Sequence, residues 1–199
     1  MEFFKASELA FDPRQQMGEI FADGFYEHGL KYLSKDKNKL ARATGHIFNL
    51  ESFYVAVTGN EIMAFIGCTN KKPSAVALNR EILIRELGFF RGRIAYRVLN
   101  KYIVNNKYPV EQTLQTGFVE FVATAPEHRG KGAASKLLLH VIEAMPFSEY
   151  VLEVVDINDT AIRVYERCGF SEIKRVPAPK GSGFNYLVYM KHATLKRKG

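Results

Sequence analysis

The sequence predicts an α/β protein, because segments typical of strands alternate with segments typical of helices along its 199 residues. Residues 118–142, FVEFVATAPEHRGKGAASKLLLHVI, pass from a strand-like run through a glycine-rich basic turn into a helix with periodic apolar residues. Residues 150–170, YVLEVVDINDTAIRVYERCGF, repeat the order of strand and helix. Strand-like runs at 52–57 and 61–69 flank a turn at 58–60, which predicts an antiparallel hairpin.

The N-terminal third is expected to hold a short strand and two helices. The strand lies near residues 3–4. Asp12 and Pro13 predict the start of the first helix, since proline is favoured in a first helical turn, and Gly29 predicts its end. The second helix is expected at about 36–48.

A long segment at about 73–116 separates the third strand from the fourth and predicts a helical insertion. One helix is expected near 78–87. The next carries an apolar stripe at helical spacing, formed by Ile94, Ala95, Val98, Leu99 and Tyr102. Four basic residues lie close to it: Arg91, Arg93, Arg97 and Lys101. These could contact an anionic partner or a membrane surface. The commoner arrangement, which we expect, is a stripe packed on the core below a solvated basic face.

The C-terminal part predicts one more helix and two strands. Asn158 or Asp159 is a suitable N-cap for the helix, and Gly169 is a suitable residue to end it. The strands are expected at 171–177 and 184–191, joined by a loop at 178–183.

Composition excludes several classes of protein. Hydrophobic residues make up 47% and charged residues 25% of the chain, as in ordinary globular domains. Neither a run of about 18 apolar residues nor a signal peptide is recognisable, so we expect a cytoplasmic protein without a membrane partner. Cys68 and Cys168 are expected to be buried free thiols, and no Cys/His spacing suggests a metal site.

The net charge of +7 calls for an anionic partner. Part of it lies in the tail, at 196–198. The sequence lacks helix-turn-helix, zinc-finger and aromatic RNA-binding signatures, so nucleic acid is not expected. A basic cleft for a phosphate-bearing small molecule is the favoured reading of the charge.

The turn after the fourth strand is suited to a pyrophosphate. Gly130 and Gly132 let the backbone approach an anion, and the unpaired N–H groups of the following helix point at it. Arg129 and Lys131 add positive charge, and Ser135 could add a hydroxyl. An ordinary strand-to-helix turn would contain similar residues. The Walker loop is absent, and the dinucleotide fingerprint fails because position 135 is not glycine.

Two motifs give the chain a family resemblance. Arg129, Gly132 and Ala134 form R-x-x-G-x-A. The second motif consists of Asn158, Ala161, Tyr165, Gly169 and Phe170. Together they cover 118–172 and resemble the GNAT-type N-acetyltransferase superfamily.

The resemblance implies a mixed, mostly antiparallel central sheet with one splayed parallel strand pair, flanked by helices. It implies one domain over 1–199, with the helical insertion helping to shape the acceptor pocket. Acetyl-CoA would lie between strands 118–125 and 150–155 as cosubstrate. Its pantetheine would contact the backbone of Val122, Ala123 and Thr124, and also Asn158. Its pyrophosphate would meet the turn formed by Arg129, Gly130, Lys131, Gly132, Ala133, Ala134 and Ser135.

The resemblance also implies acetyl transfer to a primary amine. Glu120 or Glu153 would remove the proton of the amine, with Glu120 favoured. Glu120 is expected to share a strand face with Val122 and Thr124, by the period of two. Tyr165 would contact the cosubstrate and would protonate the departing thiolate, since its phenol has a pKa of about 10 against about 8.5 for a thiol. The backbone N–H of Thr124 or Ala123 would stabilise the oxyanion.

Each of these residues also has a purely structural interpretation. Tyr165 lies on the apolar face of its helix, and either glutamate could be an exposed strand residue or one partner of an ion pair. His128 is expected to be exposed and without a catalytic role. The acceptor could be a small molecule or a peptide end, and a homodimer is possible. The alternative function is a catalytically degenerate module that binds acyl-CoA as a sensor.

Overall fold

The computed structural model describes residues 1–70, 74–106, 108–179 and 182–194. Within them, seven strands form one sheet in the order β1-β2-β3-β4-β5-β7-β6. The strands are β1 Glu2–Lys5, β2 Phe53–Thr58, β3 Glu61–Thr69, β4 Thr116–Thr124, β5 Glu149–Val155, β6 Ser171–Pro177 and β7 Tyr186–Ala193. Only β4 and β5 pair in parallel; the other neighbouring strands of this described sheet are antiparallel. The predicted mixed sheet is confirmed.

Helices flank this sheet. They are α1 Arg14–Gly24, α2 Lys37–Thr44, α3 Arg80–Leu87, α4 Phe89–Leu99, α5 Ala133–Ala144 and α6 Asp159–Arg167. A π-helical turn, Asn100–Val104, extends α4. The pair α3 and α4 confirms the helical insertion between the third and fourth strands. Parts of three predicted segments lie outside the described residues: positions 73 and 107 of the insertion, 180–181 of the loop, and the tail at 196–198.

The start and end of α1 differ from the prediction. Pro13 is the N-cap and Arg14 the first helical residue, while Asp12 Oδ1 accepts a hydrogen bond from the Arg14 backbone N–H at 3.0 Å. The helix ends at Gly24, so the prediction that Gly29 closes it was wrong. Gly29 does adopt a positive φ, of 129°, but in a later turn of the chain. Glycine therefore marked a turn correctly but did not mark the end of the helix.

The two faces of the sheet carry separate apolar clusters. On one face α1 and α2 cover an aromatic group that includes Phe21, Phe48 and Phe53. On the other face α5 contributes Leu137 and Leu138, together with α6 and the inner residues of β5. Both cysteines are buried free thiols, as predicted. Helices on both faces thus position the middle of the sheet, where β4 meets β5.

The apolar stripe of α4 does not lie where it was predicted. Ala95 and Leu99 are buried, but Ile94, Val98 and Tyr102 are 56%, 40% and 49% exposed. The reason is the close approach of α4 to α3 at Gly92. A Cβ at Gly92 would lie 2.4 Å from the Ile84 Cα, so the glycine side of α4 is the buried side. The expectation that the whole stripe faces the core was wrong.

Candidate active site

The centre of the sheet opens where β4 and β5 part. Their parallel pairing runs from Thr116 and Glu149 to Val119 and Leu152 and then stops, although both strands continue. The next two residues in that register are Glu120 and Glu153. The splayed pair expected from the resemblance is therefore present, and the two candidate bases lie at the point where the wedge begins.

A β-bulge lies just beyond this point in β4. Gly67 of β3 pairs with Glu120, and Phe65 pairs with Ala123. The two β3 residues are two positions apart, whereas the two β4 residues are three positions apart, so β4 contains one extra residue. The extra residue of β4 gives Phe121 a φ of 54°. A bulge bends its strand and increases the local twist, so it turns β4 away from the straight path alongside β5.

The bulge also corrects the predicted strand face of Glu120. Val122 packs in the same cluster as Val119, on the α5 side. Glu120 belongs to the opposite face, which it shares with Phe118 and, beyond the bulge, with Ala123. The prediction that Glu120 shares a face with Val122 was wrong, because the inserted residue reverses the alternation of side chains.

Glu153 is held by two donors, and both glutamates lie on one face of the sheet. The Tyr189 hydroxyl donates to Glu153 Oε2 at 2.6 Å, and Asn106 Nδ2 donates to the same oxygen at 3.2 Å. Tyr189 is the β7 residue opposite Glu153 in the sheet. Glu120 is 9% exposed, close to the apex of the wedge. A buried and a half-buried carboxylate therefore flank the opening.

Tyr108, from the end of the insertion, lies beside these carboxylates. It is 8% exposed, and its ring packs on Phe118 and Tyr189 with centroid distances of 4.7 and 5.7 Å. Burial raises the pKa of the Tyr108 phenol, and the negative charges of Glu120 and Glu153 raise it further. The phenol therefore remains protonated next to both glutamates at neutral pH.

Sequence reasoning missed the contributions of Asn106, Tyr108 and Tyr189. The first two precede β4 by about ten residues, in a segment without a regular pattern. Tyr189 could have been found only from the pairing of β5 with β7, since its place opposite Glu153 is set by that register.

Tyr165 approaches the wedge from the opposite face of the sheet. It is 7% exposed, and burial raises the pKa of its phenol. Within the described part of the chain its hydroxyl makes no hydrogen bond. An electrostatic effect of Tyr165 is the smallest of the causes that raise the pKa of Tyr108, so the two phenols are near each other.

The position of Tyr165 is set by the end of α6. The Phe170 N–H donates to the Tyr165 carbonyl at 3.0 Å and the Gly169 N–H to the Glu166 carbonyl at 2.9 Å. Gly169 has a φ of 85°. This is a Schellman ending, and the ring of Phe170 packs 6.2 Å from that of Tyr165, as such endings favour. The predicted role of Gly169 is confirmed, and the ring of Tyr165 has a structural role as well.

Asn158 begins the same helix. Its Oδ1 accepts a hydrogen bond from the Ala161 N–H at 3.1 Å, so Asn158, and not Asp159, is the N-cap of α6. The cap uses the amide oxygen. The side-chain NH₂ group is what Asn158 can offer to a ligand.

Beyond the bulge, the backbone of β4 is open on the side of β5. The Ala125 N–H donates to the Met63 carbonyl of β3 at 2.9 Å. Because polar groups alternate in direction along a strand, those of Ala123 also face β3, while those of Val122 and Thr124 face the wedge. Thr124 rather than Ala123 is thus the backbone donor that an oxyanion in the wedge could reach.

The turn between β4 and α5 has the form of an anion site. Gly130 and Gly132 have φ values of 75° and 78°, which favour glycine, and no atom lies within 4 Å of an ideal Cβ at either position. Gly132 is the N-cap of α5 and provides no capping side chain. The first N–H groups of the helix, at Ala133, Ala134 and Ser135, lack the i−4 acceptors found inside a helix. A phosphate group fits such a helix start.

The basic residues of the turn differ in their surroundings. Lys131 is exposed. Arg129 Nη2 instead pairs with Asp23 of α1, which also binds Lys37 at 2.5 Å. The hydrogen bond from Lys37 is the largest cause of the lowered pKa of Asp23, and Arg129 adds to it. The charge of Arg129 is therefore partly compensated, so it can contribute less to an anion than the sequence suggests.

His128 is largely enclosed, so the expectation of an exposed histidine was wrong. Its side chain is 12% exposed, and Nε2 lies 2.9 Å from Glu61 Oε1. Glu61, Glu127 and His128 have potential ligand atoms within 4.8 Å of one another. The hydrogen bond between Glu61 and His128 accounts for the proximity of these two.

The site thus combines an open strand edge, a helix start with unpaired N–H groups and two carboxylates at a wedge. The sequence model of the Acetyltransferase (GNAT) family matches residues 14–170. The match covers most of the chain, and the chain belongs to this family, whose members transfer acetyl groups from acetyl-CoA.

Similar proteins agree with this assignment. The chain is 35% identical over 83 residues to N-alpha-acetyltransferase 30 of Schizosaccharomyces pombe, a match of 39% of this chain and 55% of that protein. It thus spans about half the length of this relative. Among solved structures, an N-acetyltransferase from Staphylococcus aureus Mu50 superposes with a TM-score of 0.63 at 16% identity, over 96% of this chain and all of the other. The ribosomal-protein-S18-alanine N-acetyltransferase of Escherichia coli gives 0.54 at 15%, over 96% and 92%. These two structures share the fold.

Proposed function

We propose that the chain transfers the acetyl group of acetyl-CoA directly to a primary amine at the apex of the wedge. The observation that supports this site is the end of the β4–β5 pairing immediately before Glu120 and Glu153. Both glutamates lie on one face of the sheet, and Tyr165 packs on the other face. An amine and a thioester that meet in the wedge would have a base on one side and an acid on the other.

The reaction needs three events at named groups. A glutamate takes a proton from the ammonium, and the amine nitrogen then attacks the thioester carbonyl. The Thr124 N–H stabilises the oxyanion of the tetrahedral intermediate. As the C–S bond breaks, the sulfur leaves with the electron pair and takes the phenolic proton of Tyr165. The attacking nitrogen releases its second proton to solvent, and the phenolate regains a proton from solvent. Burial raises the pKa of that phenol, so this transfer is favourable only where the thiolate is also poorly solvated.

We propose Glu120 as the base and Glu153 as a positioning residue. Glu153 Oε2 already accepts hydrogen bonds from Tyr189 and Asn106, which hold its carboxylate in place. A base must be deprotonated to act, so activity falls as the pH drops, and loss of the base flattens that acidic limb of the pH–rate profile. Glu120→Gln should remove the acidic limb of the pH–rate profile. Glu153→Gln should lower the rate but leave the acidic limb in place. The reverse pattern would exchange the two roles.

For the acceptor we propose the α-amino group of a peptide or protein. The support is the name of the curated relative, an N-alpha-acetyltransferase. A panel should include a peptide with a free N-terminus, the same peptide blocked at the N-terminus but containing lysine, and a polyamine. Thiol release with the free peptide alone is expected. Release only with the blocked peptide or the polyamine would contradict this choice while leaving acetyl transfer intact.

The function is tested first by calorimetric titration with acetyl-CoA of the wild type and of Gly132→Glu. The added carboxylate would lie where the helix start accepts phosphate, so binding to the wild type alone is expected. Failure of the wild type to bind would contradict the proposed site. Binding without thiol release for any amine in the panel would instead favour the sensor function.

A further inference from the structure

The outward face of α4 and the π-helical turn carries exposed apolar side chains. We call it the α4 surface; its apolar members are Phe89, Phe90, Ile94, Val98 and Tyr102. Phe90 is 79% exposed, and the others are 40–56% exposed. The opposite side of the helix packs through Gly92, Ala95 and Leu99. A group of large apolar residues that the core does not use is typical of an interaction site.

Arginines border the same surface. A cavity of about 170 Å³ is lined by Arg80 of α3 and by Arg93, Tyr96 and Arg97 of α4. Among the described residues, these three arginines form no ion pair with a carboxylate; Arg93 instead lies 5.2 Å from the ring centroid of Phe89.

Nearby arginines behave differently. Arg42 and Arg85 both bind the carboxylate of Glu86, at 3.0 and 2.9 Å. The cavity therefore gathers three guanidinium groups whose charges no described carboxylate balances. Guanidinium groups and a tyrosine around one small cavity suit a phosphate oxyanion.

We propose that the α4 surface binds an anionic phospholipid membrane, with a lipid phosphate in the arginine cavity and Phe90 and Ile94 in the region of the acyl chains. The positive charge of this border requires a negatively charged partner, and exposed Arg91 of α4 and Lys101 of the π-helical turn add to that charge. A second copy of this chain would bring like charges together. The aliphatic side chains Ile94 and Val98 suit acyl chains better than nucleic-acid bases, which stack on aromatic rings.

Such a contact lies at the membrane surface. No helix of the described residues is long and apolar enough to cross a bilayer. The residues of the α4 surface are separate from those of the wedge and of the Gly130–Gly132 turn. Membrane contact thus leaves acetyl-CoA binding unchanged and concentrates the enzyme near acceptors at an anionic membrane. The initial expectation of no membrane partner rested on the lack of a long apolar run and on an apolar stripe packed on the core; the structure contradicts only the second of these.

The test is sedimentation of the full chain with vesicles of phosphatidylcholine alone or of phosphatidylcholine with phosphatidylglycerol. Binding to the anionic vesicles only, weakened by salt, is expected. Arg93→Gln/Arg97→Gln should lower the affinity by about 30-fold, since each basic side chain at an anionic surface contributes about fivefold. Phe90→Ser/Ile94→Ser should lower it by about tenfold or more.

Arg163→Gln/Lys174→Gln is the matched control. It removes the same charge from exposed positions of α6 and β6 and should bind vesicles like the wild type. Circular dichroism verifies that every variant is folded. Equal binding by all the variants would overturn the proposed location.

Two further probes separate the sources of the anion. Binding of inorganic phosphate or of single-stranded RNA to the wild type, without binding to anionic vesicles, would overturn the lipid proposal. Acetyl transfer is not needed for any readout, so the outcome is independent of the proposed function.

Discussion

Removal of one oxygen atom by Tyr165→Phe separates the catalytic role of Tyr165 from its packing role. The ring packs on Phe170 at the end of α6 and remains in the variant. The hydroxyl has no hydrogen-bond partner among the described residues, so no buried acceptor is left unsatisfied. Loss of a hydroxyl that makes no hydrogen bond within the described residues should change the free energy of unfolding by less than about 1 kcal/mol in either direction.

The rate should change far more than the stability. A positioned general acid contributes typically about 10²- to 10⁴-fold, so kcat with the preferred amine should fall by about a hundredfold or more. Acetyl-CoA affinity should remain, because the proposed phosphate and pantetheine contacts are made elsewhere. Thiol release measures kcat, calorimetry measures the affinity, and urea unfolding measures the stability.

Tyr150→Phe is the matched control for this experiment. The Tyr150 hydroxyl lies within hydrogen-bond distance of the carbonyls of Ile142 and Met145, at 3.0 and 3.1 Å, and Tyr150 packs in the cluster on the α5 side of the sheet, opposite Glu120 and Glu153. Its removal leaves two carbonyls without a donor and should cost about 1–3 kcal/mol, while kcat of the folded enzyme is kept. A Tyr165→Phe variant with unchanged kcat would refute the acid role. One with unchanged kcat and lowered stability would make Tyr165 a core residue only.

Three more changes test the turns and one ion pair. Gly132→Ala should raise the KM for acetyl-CoA by about tenfold, because a methyl group enters the space for phosphate. Gly59→Ala is the control: Gly59 also has a positive φ, of 58°, and open space around it, so this variant has the same backbone strain and should leave the KM unchanged. Gly169→Ala should lower the unfolding midpoint more than Gly59→Ala, since its Cβ would also lie 2.9 Å from a histidine ring nitrogen; equal midpoints would contradict this. The hydrogen bond from Lys191 is the largest cause of the lowered pKa of Glu149. The ionised carboxylate therefore stabilises the fold at pH values above 4.5, the ordinary pKa of a glutamate, and this stabilisation is lost as the pH falls through the lowered pKa. In urea titrations Glu149→Gln should therefore be less stable at neutral pH and lose less stability on acidification; parallel pH curves would refute the assignment.

Local signals in the sequence were sufficient for the turns and caps. Gly130, Gly132 and Gly169 all have positive φ values where a turn or helix end was expected. Asn158 caps α6, and it was one of the two residues, with Asp159, that the sequence offered as the N-cap. Such features depend on a few neighbouring residues, so one sequence can indicate them.

Features that depend on distant partners were not accessible in this way. The contact of Asn106 with Glu153 joins residues 47 positions apart. The buried side of α4 is decided by the fit of Gly92 against α3, and a periodic stripe cannot show which of two faces has a neighbour. The same limit explains why the stripe was expected in the core.

The bulge at Phe121 connects the core with the site. A positive φ is unfavourable for a residue with a Cβ, so surrounding contacts must hold it. The ring of Phe121 packs on Phe21, Phe25 and Phe53, with centroids 5.9–6.3 Å away. Helix α1 thus stabilises the conformation that turns β4 away from β5 just after Val119, the last residue of β4 that pairs with β5. Strand pairing would otherwise continue past the glutamates, because both strands extend beyond them. The aromatic cluster beneath α1 therefore helps to keep the wedge open, although none of its residues lies in the wedge.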